Sequence, residues 1–106
     1  MDAKTFDNNY NSNIGKEFRK LNEKFTEYFG EPSYELFGMM VTPITDYIVS
    51  FYWGDRTPKQ VFDLCVKTLY YYDMICYDEK TDEYKTYMDK SIVIKLNRIK
   101  KAIEEV

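Results

Sequence analysis

Ile14, Phe18, Leu21, Phe25 and Tyr28 recur at steps of four, three, four and three, the spacing that lays apolar side chains along one stripe of a helix. Lys16, Glu17, Lys20, Glu23, Lys24 and Glu27 fill the opposite side. The spacing predicts a first helix over 14–29, capped by Asn13 and stopped by Gly30 and Pro32. Beyond it the side chains become β-branched and aromatic. Tyr47, Val49, Phe51 and Trp53 alternate with Ile48, Ser50 and Tyr52, which predicts a strand. Its antiparallel partner is expected over 34–41, joined through residues 42–45 with Pro43 outside the ladder and Gly38 marking a bulge.

Gly54 and Asp55 end that strand, and Thr57 followed by Pro58 is a strong helix start, because proline at the first helical position loses no needed hydrogen bond. Val61, Cys65, Leu69, Tyr72 and Cys76 make the stripe of this second long helix, widened by Phe62, Val66 and Tyr70. Two readings compete afterwards. Tyr84, Met88, Ile92, Leu96, Ile99 and Ile103 hold helical steps across nearly six turns, so a long last helix is favoured, capped by Thr81 with Asp82 and Glu83 in its first turn. The β-branched run Ile92, Val93 and Ile94 argues for a helix starting only near Ser91, and residues 75–88 then form a β-hairpin with its tip at 78–83.

The expected fold is therefore α+β, one small domain in the order α-β-β-α-α with a two-stranded antiparallel sheet packed on helices. The alternative is α-β-β-α-β-β-α with a second hairpin at 75–88. Residues 1–12 are polar and turn-prone and read as a flexible N-terminal arm, leaving 13–106 as the single globular domain. A length of 106 residues suits one core, since two would each be too small to hold.

Charge changes the picture only locally. The formal net charge is -3, too mild to demand a polyanionic partner. Residues 30–57 carry Glu31, Glu35, Asp46 and Asp55 against Arg56, whereas 91–106 carry Lys95, Arg98, Lys100 and Lys101 against Glu104 and Glu105. No stretch approaches the roughly 18 apolar residues of a membrane span and no leader is evident, so a soluble, cytoplasmic protein with no membrane partner is expected. Cys65 and Cys76 lie about 16 Å apart on a shared helix, too far to bridge, and read as reduced thiols.

Histidine is absent, which removes the commonest general base and the imidazole triads. Gly15, Gly30, Gly38 and Gly54 form no phosphate-binding loop, and Ser12, Ser33, Ser50 and Ser91 occupy no nucleophile elbow. Asp78, Glu79, Asp82 and Glu83 lack the central glycine and distal glutamate of a calcium loop. The expectation is no catalytic residue, no metal and no cofactor.

Tyrosine is what remains, with 11 in the chain and a run at Tyr70, Tyr71 and Tyr72 that one core cannot absorb. Tyrosine gives a large rigid contact area with a hydroxyl at little conformational cost, and so is enriched where proteins recognise proteins. The favoured function is a non-enzymatic protein-binding inhibitor or regulator. Its expected site is Tyr70, Tyr71, Asp73, Tyr77, Asp78, Glu79, Asp82 and Glu83, docking on the basic surface of a partner such as a nucleic-acid enzyme. Small size, an acidic middle and missing motifs resemble in general character the inhibitors carried by phages and mobile elements, including anti-CRISPR proteins.

The alternative is a nucleic-acid-binding module using Lys95, Arg98 and Lys101 on the last helix. A hairpin at 75–88 after helix two would resemble a winged helix and favour it, although the acidic tip works against it. A third reading is a homodimer that completes its open β-ribbon across a two-fold axis.

Overall fold

The computed structural model describes residues 3–29, 34–86 and 90–105. Nine elements follow one another: α1 (Ala3–Asn11), α2 (Asn13–Phe29), β1 (Glu35–Leu36), β2 (Met39–Met40), α3 (Thr45–Tyr52), α4 (Pro58–Tyr71), β3 (Cys76–Asp78), β4 (Glu83–Lys85) and α5 (Lys90–Glu104). The fold is α+β, with two separate two-stranded antiparallel sheets among helices. The expected α2 stripe holds, with Phe18, Leu21 and Phe25 fully buried. They meet Ile92, Leu96 and Ile99 of α5, Ile48 and Tyr52 of α3, and Val61, Cys65 and Leu69 of α4 in one contiguous core. Gly30, Pro32 and Met88, used above as breakers or stripe positions, lie outside the described residues.

The segment read as a flexible arm is helical over Ala3–Asn11 and is tied down at several points. Asn9 Nδ2 donates to the carbonyls of Phe51 (2.9 Å) and Tyr52 (3.2 Å), satisfying the open C-terminal end of α3. Phe6 packs in tilted and edge-on contact with Phe37, Tyr52 and Trp53 at centroid distances of 4.7, 5.4 and 4.6 Å. The Arg19 guanidinium lies 3.8 Å above the Tyr10 ring. The cap of α2 is Ser12 rather than Asn13: its hydroxyl accepts from Gly15 N–H (3.0 Å) and donates to Asn9 O (2.6 Å), closing one helix and opening the next.

The strand expected at 47–53 is a helix, α3. Its alternation had no polar phase apart from Ser50, because Ile48 and Tyr52 are as apolar as their neighbours. Ile44, Ile48 and Tyr52 also stand four residues apart, and burial of all three on one face overrides their strand propensity. Residues 34–41 pair instead with themselves, Glu35 opposite Met40 and Leu36 opposite Met39. The intervening Phe37 and Gly38 both have positive φ (51° and 77°), so Gly38 belongs to a tight two-residue turn and not to a bulge.

The loop from β2 to α3 is fixed by a buried amide. Asn22 Nδ2 donates to Met40 O, and Asn22 Oδ1 accepts from the hydroxyls of Thr42 and Thr45, each at 2.8 Å. α4 starts as expected, with Thr57 and Gln60 forming a reciprocal capping box. It ends at Tyr71 in a Schellman motif: Met74 N–H reaches Leu69 O (2.9 Å), and Asp73 N–H reaches Tyr70 O (3.0 Å) with Asp73 at φ 55°. The long last helix is corrected to the alternative hairpin followed by α5, so Thr81 sits in a hairpin tip and caps nothing. The apolar steps of four and three hold from Ile92 onward, whereas Tyr84 belongs to a strand.

Candidate partner-binding site

The β3–β4 hairpin pairs Cys76 with Lys85, Tyr77 with Tyr84 and Asp78 with Glu83. Asn97 of α5 holds its outer edge by two bonds, accepting from Tyr84 N–H (2.9 Å) and donating to Tyr84 O (3.1 Å). Opposite residues of an antiparallel pair either bond each other or both face outward. Because Tyr84 faces Asn97, the N–H and C=O of Tyr77 point away from β4, and β3 is an open edge.

Tyr84 is the centre of an aromatic group. Its ring lies 6.0 Å from Phe62 and 5.3 Å from Tyr77, and its hydroxyl is held above the ordinary tyrosine value by burial first, then by Tyr70, Asp63 and Asp82, against the opposite pull of Lys100. Tyr70 and Tyr77 flank it with 41% and 38% of their surfaces in solvent. The tyrosine run therefore divides. Tyr70 faces the hairpin, while Tyr71 (81% exposed) and Tyr72 (46%) form an edge-to-face pair at 5.0 Å on another side of the helix end. There they line a groove with Pro43, Tyr47, Leu64, Lys67 and Thr68.

The acidic residues also separate. Asp78 Oδ1 accepts from Lys80 N–H (2.9 Å) and shapes the tip. Asp82, at φ 55°, accepts from Lys100 Nζ (3.0 Å), which also reaches Glu104 (2.8 Å) and is raised in pKa by these two carboxylates. Asp73 occupies the left-handed position that ends α4. Glu79 and Glu83 are exposed and form no ion pair among the described residues.

Arg98 and Lys101 line a second groove, between the hairpin and α5, together with Lys100, Asp82, Glu83 and Glu104, while Lys95 is not part of its wall. Three cations against three carboxylates make a mixed surface, not a track for a polyanion. The hairpin that would complete a winged-helix arrangement is present, and its tip is acidic. Among the described residues no three cysteine or carboxylate side chains converge on a metal position. Cys65 and Cys76 are unpaired, and burial pushes the Cys65 thiol up. No helix among the described residues is long and apolar enough to cross a membrane.

Sequence reasoning missed Tyr84, Asn97 and the groove residues Pro43, Tyr47 and Lys67. The available signal was Asn97 itself, a short polar residue inside a helix of lysines, isoleucines and leucine. Comparison with protein-family models, curated proteins and solved structures finds no match.

Proposed function

We propose that this chain is a non-enzymatic protein-binding regulator whose docking surface is the β3–β4 hairpin with the adjoining end of α4. The observation that carries the reading is the half-exposed pair Tyr70 and Tyr77 around Tyr84, with Glu79 and Glu83 exposed on the same hairpin and in no ion pair among the described residues. Rigid rings fixed from beneath supply residence time, and unpaired carboxylates steer a basic partner surface toward them. The chemistry suits the arginine- and lysine-rich face of a nucleic-acid-binding protein, with carboxylates taking the place of phosphates. In that respect the chain keeps the general character of phage and mobile-element inhibitors acting in the cytoplasm.

The test is association kinetics with a partner captured from a cell lysate. Glu79→Lys with Glu83→Lys lowers the association rate and flattens its salt dependence. Tyr70→Ala with Tyr77→Ala raises the dissociation rate roughly tenfold or more, as loss of aromatic anchors does. A partner that binds both double variants with wild-type kinetics removes this surface from the account.

A further inference from the structure

We infer that the groove between α3 and α4 binds a proline-rich, polyproline II peptide carrying an acidic flank. It is a second site, independent of the hairpin surface. One end is a depression of about 320 Å³ walled by Pro43, Tyr47, Tyr71 and Tyr72 over Leu64. It continues along α4 into a second depression of about 610 Å³ that shares Leu64 and Lys67 and ends at Arg56 and Gln60. Gln60 to Tyr71 is about 17 Å of helix, the length of five or six residues of polyproline II.

The chemistry of the walls selects the occupant. Rings held against each other (Tyr71 on Tyr72 at 5.0 Å) and the rigid Pro43 offer flat apolar faces that suit pyrrolidine rings. The charged groups left over are donors. Lys67 is exposed and has no acidic partner among the described residues, and Arg56 lies 5.6 Å from the Tyr47 ring with its guanidinium on Ser50 Oγ (2.9 Å). Asp63 in the same trough is neutralised by Lys59 at 2.8 Å. The Thr68 hydroxyl is turned inward to Leu64 O (2.9 Å). A proline-rich strand presents carbonyl acceptors and few N–H donors, so its backbone complements such a wall. A carboxylate beyond the prolines meets Lys67 and Arg56. A polynucleotide suits the groove less, because it brings a phosphate with every base while Asp46 and Asp73 adjoin the tyrosines in sequence.

The probe is an array of short synthetic peptides: proline-rich with a glutamate pair at one end, the same prolines with a lysine pair, amphipathic helical controls, and a single-stranded oligonucleotide alongside. The glutamate-flanked prolines should be retained best. Tyr71→Ala and Lys67→Glu, both at exposed positions, should each weaken that binding roughly tenfold with unchanged thermal melting. Tyr77→Ala should leave it intact, which separates this site from the hairpin surface. Equal retention of all peptides, retention of none, preference for the oligonucleotide, or binding indifferent to both groove variants overturns the inference.

Discussion

Replacing Asn22 with alanine removes the amide that fastens the loop before α3, and with it one wall of the tyrosine groove. Asn22 is 1% exposed, and its three bonds of 2.8 Å reach Met40 O, Thr42 Oγ1 and Thr45 Oγ1. At about 1 kcal/mol net for each hydrogen bond, the loss is roughly 3 kcal/mol. Part is recovered, because Thr45 Oγ1 already stands 3.3 Å from Thr42 Oγ1 and 3.4 Å from Met40 O, so the hydroxyls can pair again and offer the carbonyl a weaker donor. The expected net cost is about 2 kcal/mol, or a fall in melting temperature of roughly 8–16 °C for a domain of this size. Asn22→Asp should cost more near neutrality. It keeps the two acceptor bonds but loses the donor to Met40 O and buries a charge. Its deficit should shrink on acidification, as the protonated carboxyl regains a donor. Paired thermal and urea unfolding curves followed by circular dichroism measure both. A loss below about 0.5 kcal/mol for Asn22→Ala, or an Asn22→Asp variant no worse than Asn22→Ala at neutral pH, would refute the hub.

Three further substitutions test other parts of the fold. A Cβ at Gly15 would stand 2.1 Å from Asn9 O, so Gly15→Ala must push α1 off α2 and should cost about 2 kcal/mol or more, read by urea unfolding. Asp73 adopts φ 55° without glycine, so Asp73→Gly should raise stability by roughly 0.5–1 kcal/mol in the same assay, and a decrease would count against the Schellman ending. Tyr52 donates to Gly15 O (3.1 Å), and burial, opposed by the nearby Arg19, pushes its hydroxyl from 10.0 up to about 12. The unfolded chain therefore ionises first. The Tyr52 contribution is complete below pH 10 and is lost between 10 and 12, worth roughly 2–3 kcal/mol. Tyr52→Phe should show a shallower decline of stability across that window than the wild-type chain.

What could be read from the sequence followed from periodicity that only one structure satisfies. The α2 stripe, the Thr57–Pro58 start and the apolar steps after Ile92 have a polar opposite face, and each became the expected helix. The spacing of Tyr47 to Trp53 fits period two and period 3.6 alike, and burial of Ile48 and Tyr52 against α2 and α4 decides for the helix. The polar count of residues 1–12 gives no weight to what Phe6, Asn9 and Tyr10 each touch some 27–47 residues away. Of the residues expected at the site, Tyr70 and Tyr77 lie beside Tyr84, whereas Glu83 precedes Tyr84 in β4 and lines the groove of Arg98 and Lys100 on the other face of the hairpin. Tyr71 turns to a different groove, and Asp73, Asp78 and Asp82 serve the backbone turns and Lys100. That partition depends on one left-handed residue and one helix ending, which no composition reveals.

Amide hydrogen exchange of the chain, alone and bound to its captured partner, tests the docking surface most directly. The Tyr77 N–H faces outward from an open edge and should exchange fast in the free chain. Binding should slow it together with its neighbours in residues 76–85, leaving α1 and the Asn22 loop unchanged. Protection confined to Arg98 and Lys101 on α5, with the Tyr77 amide still fast, would contradict the account.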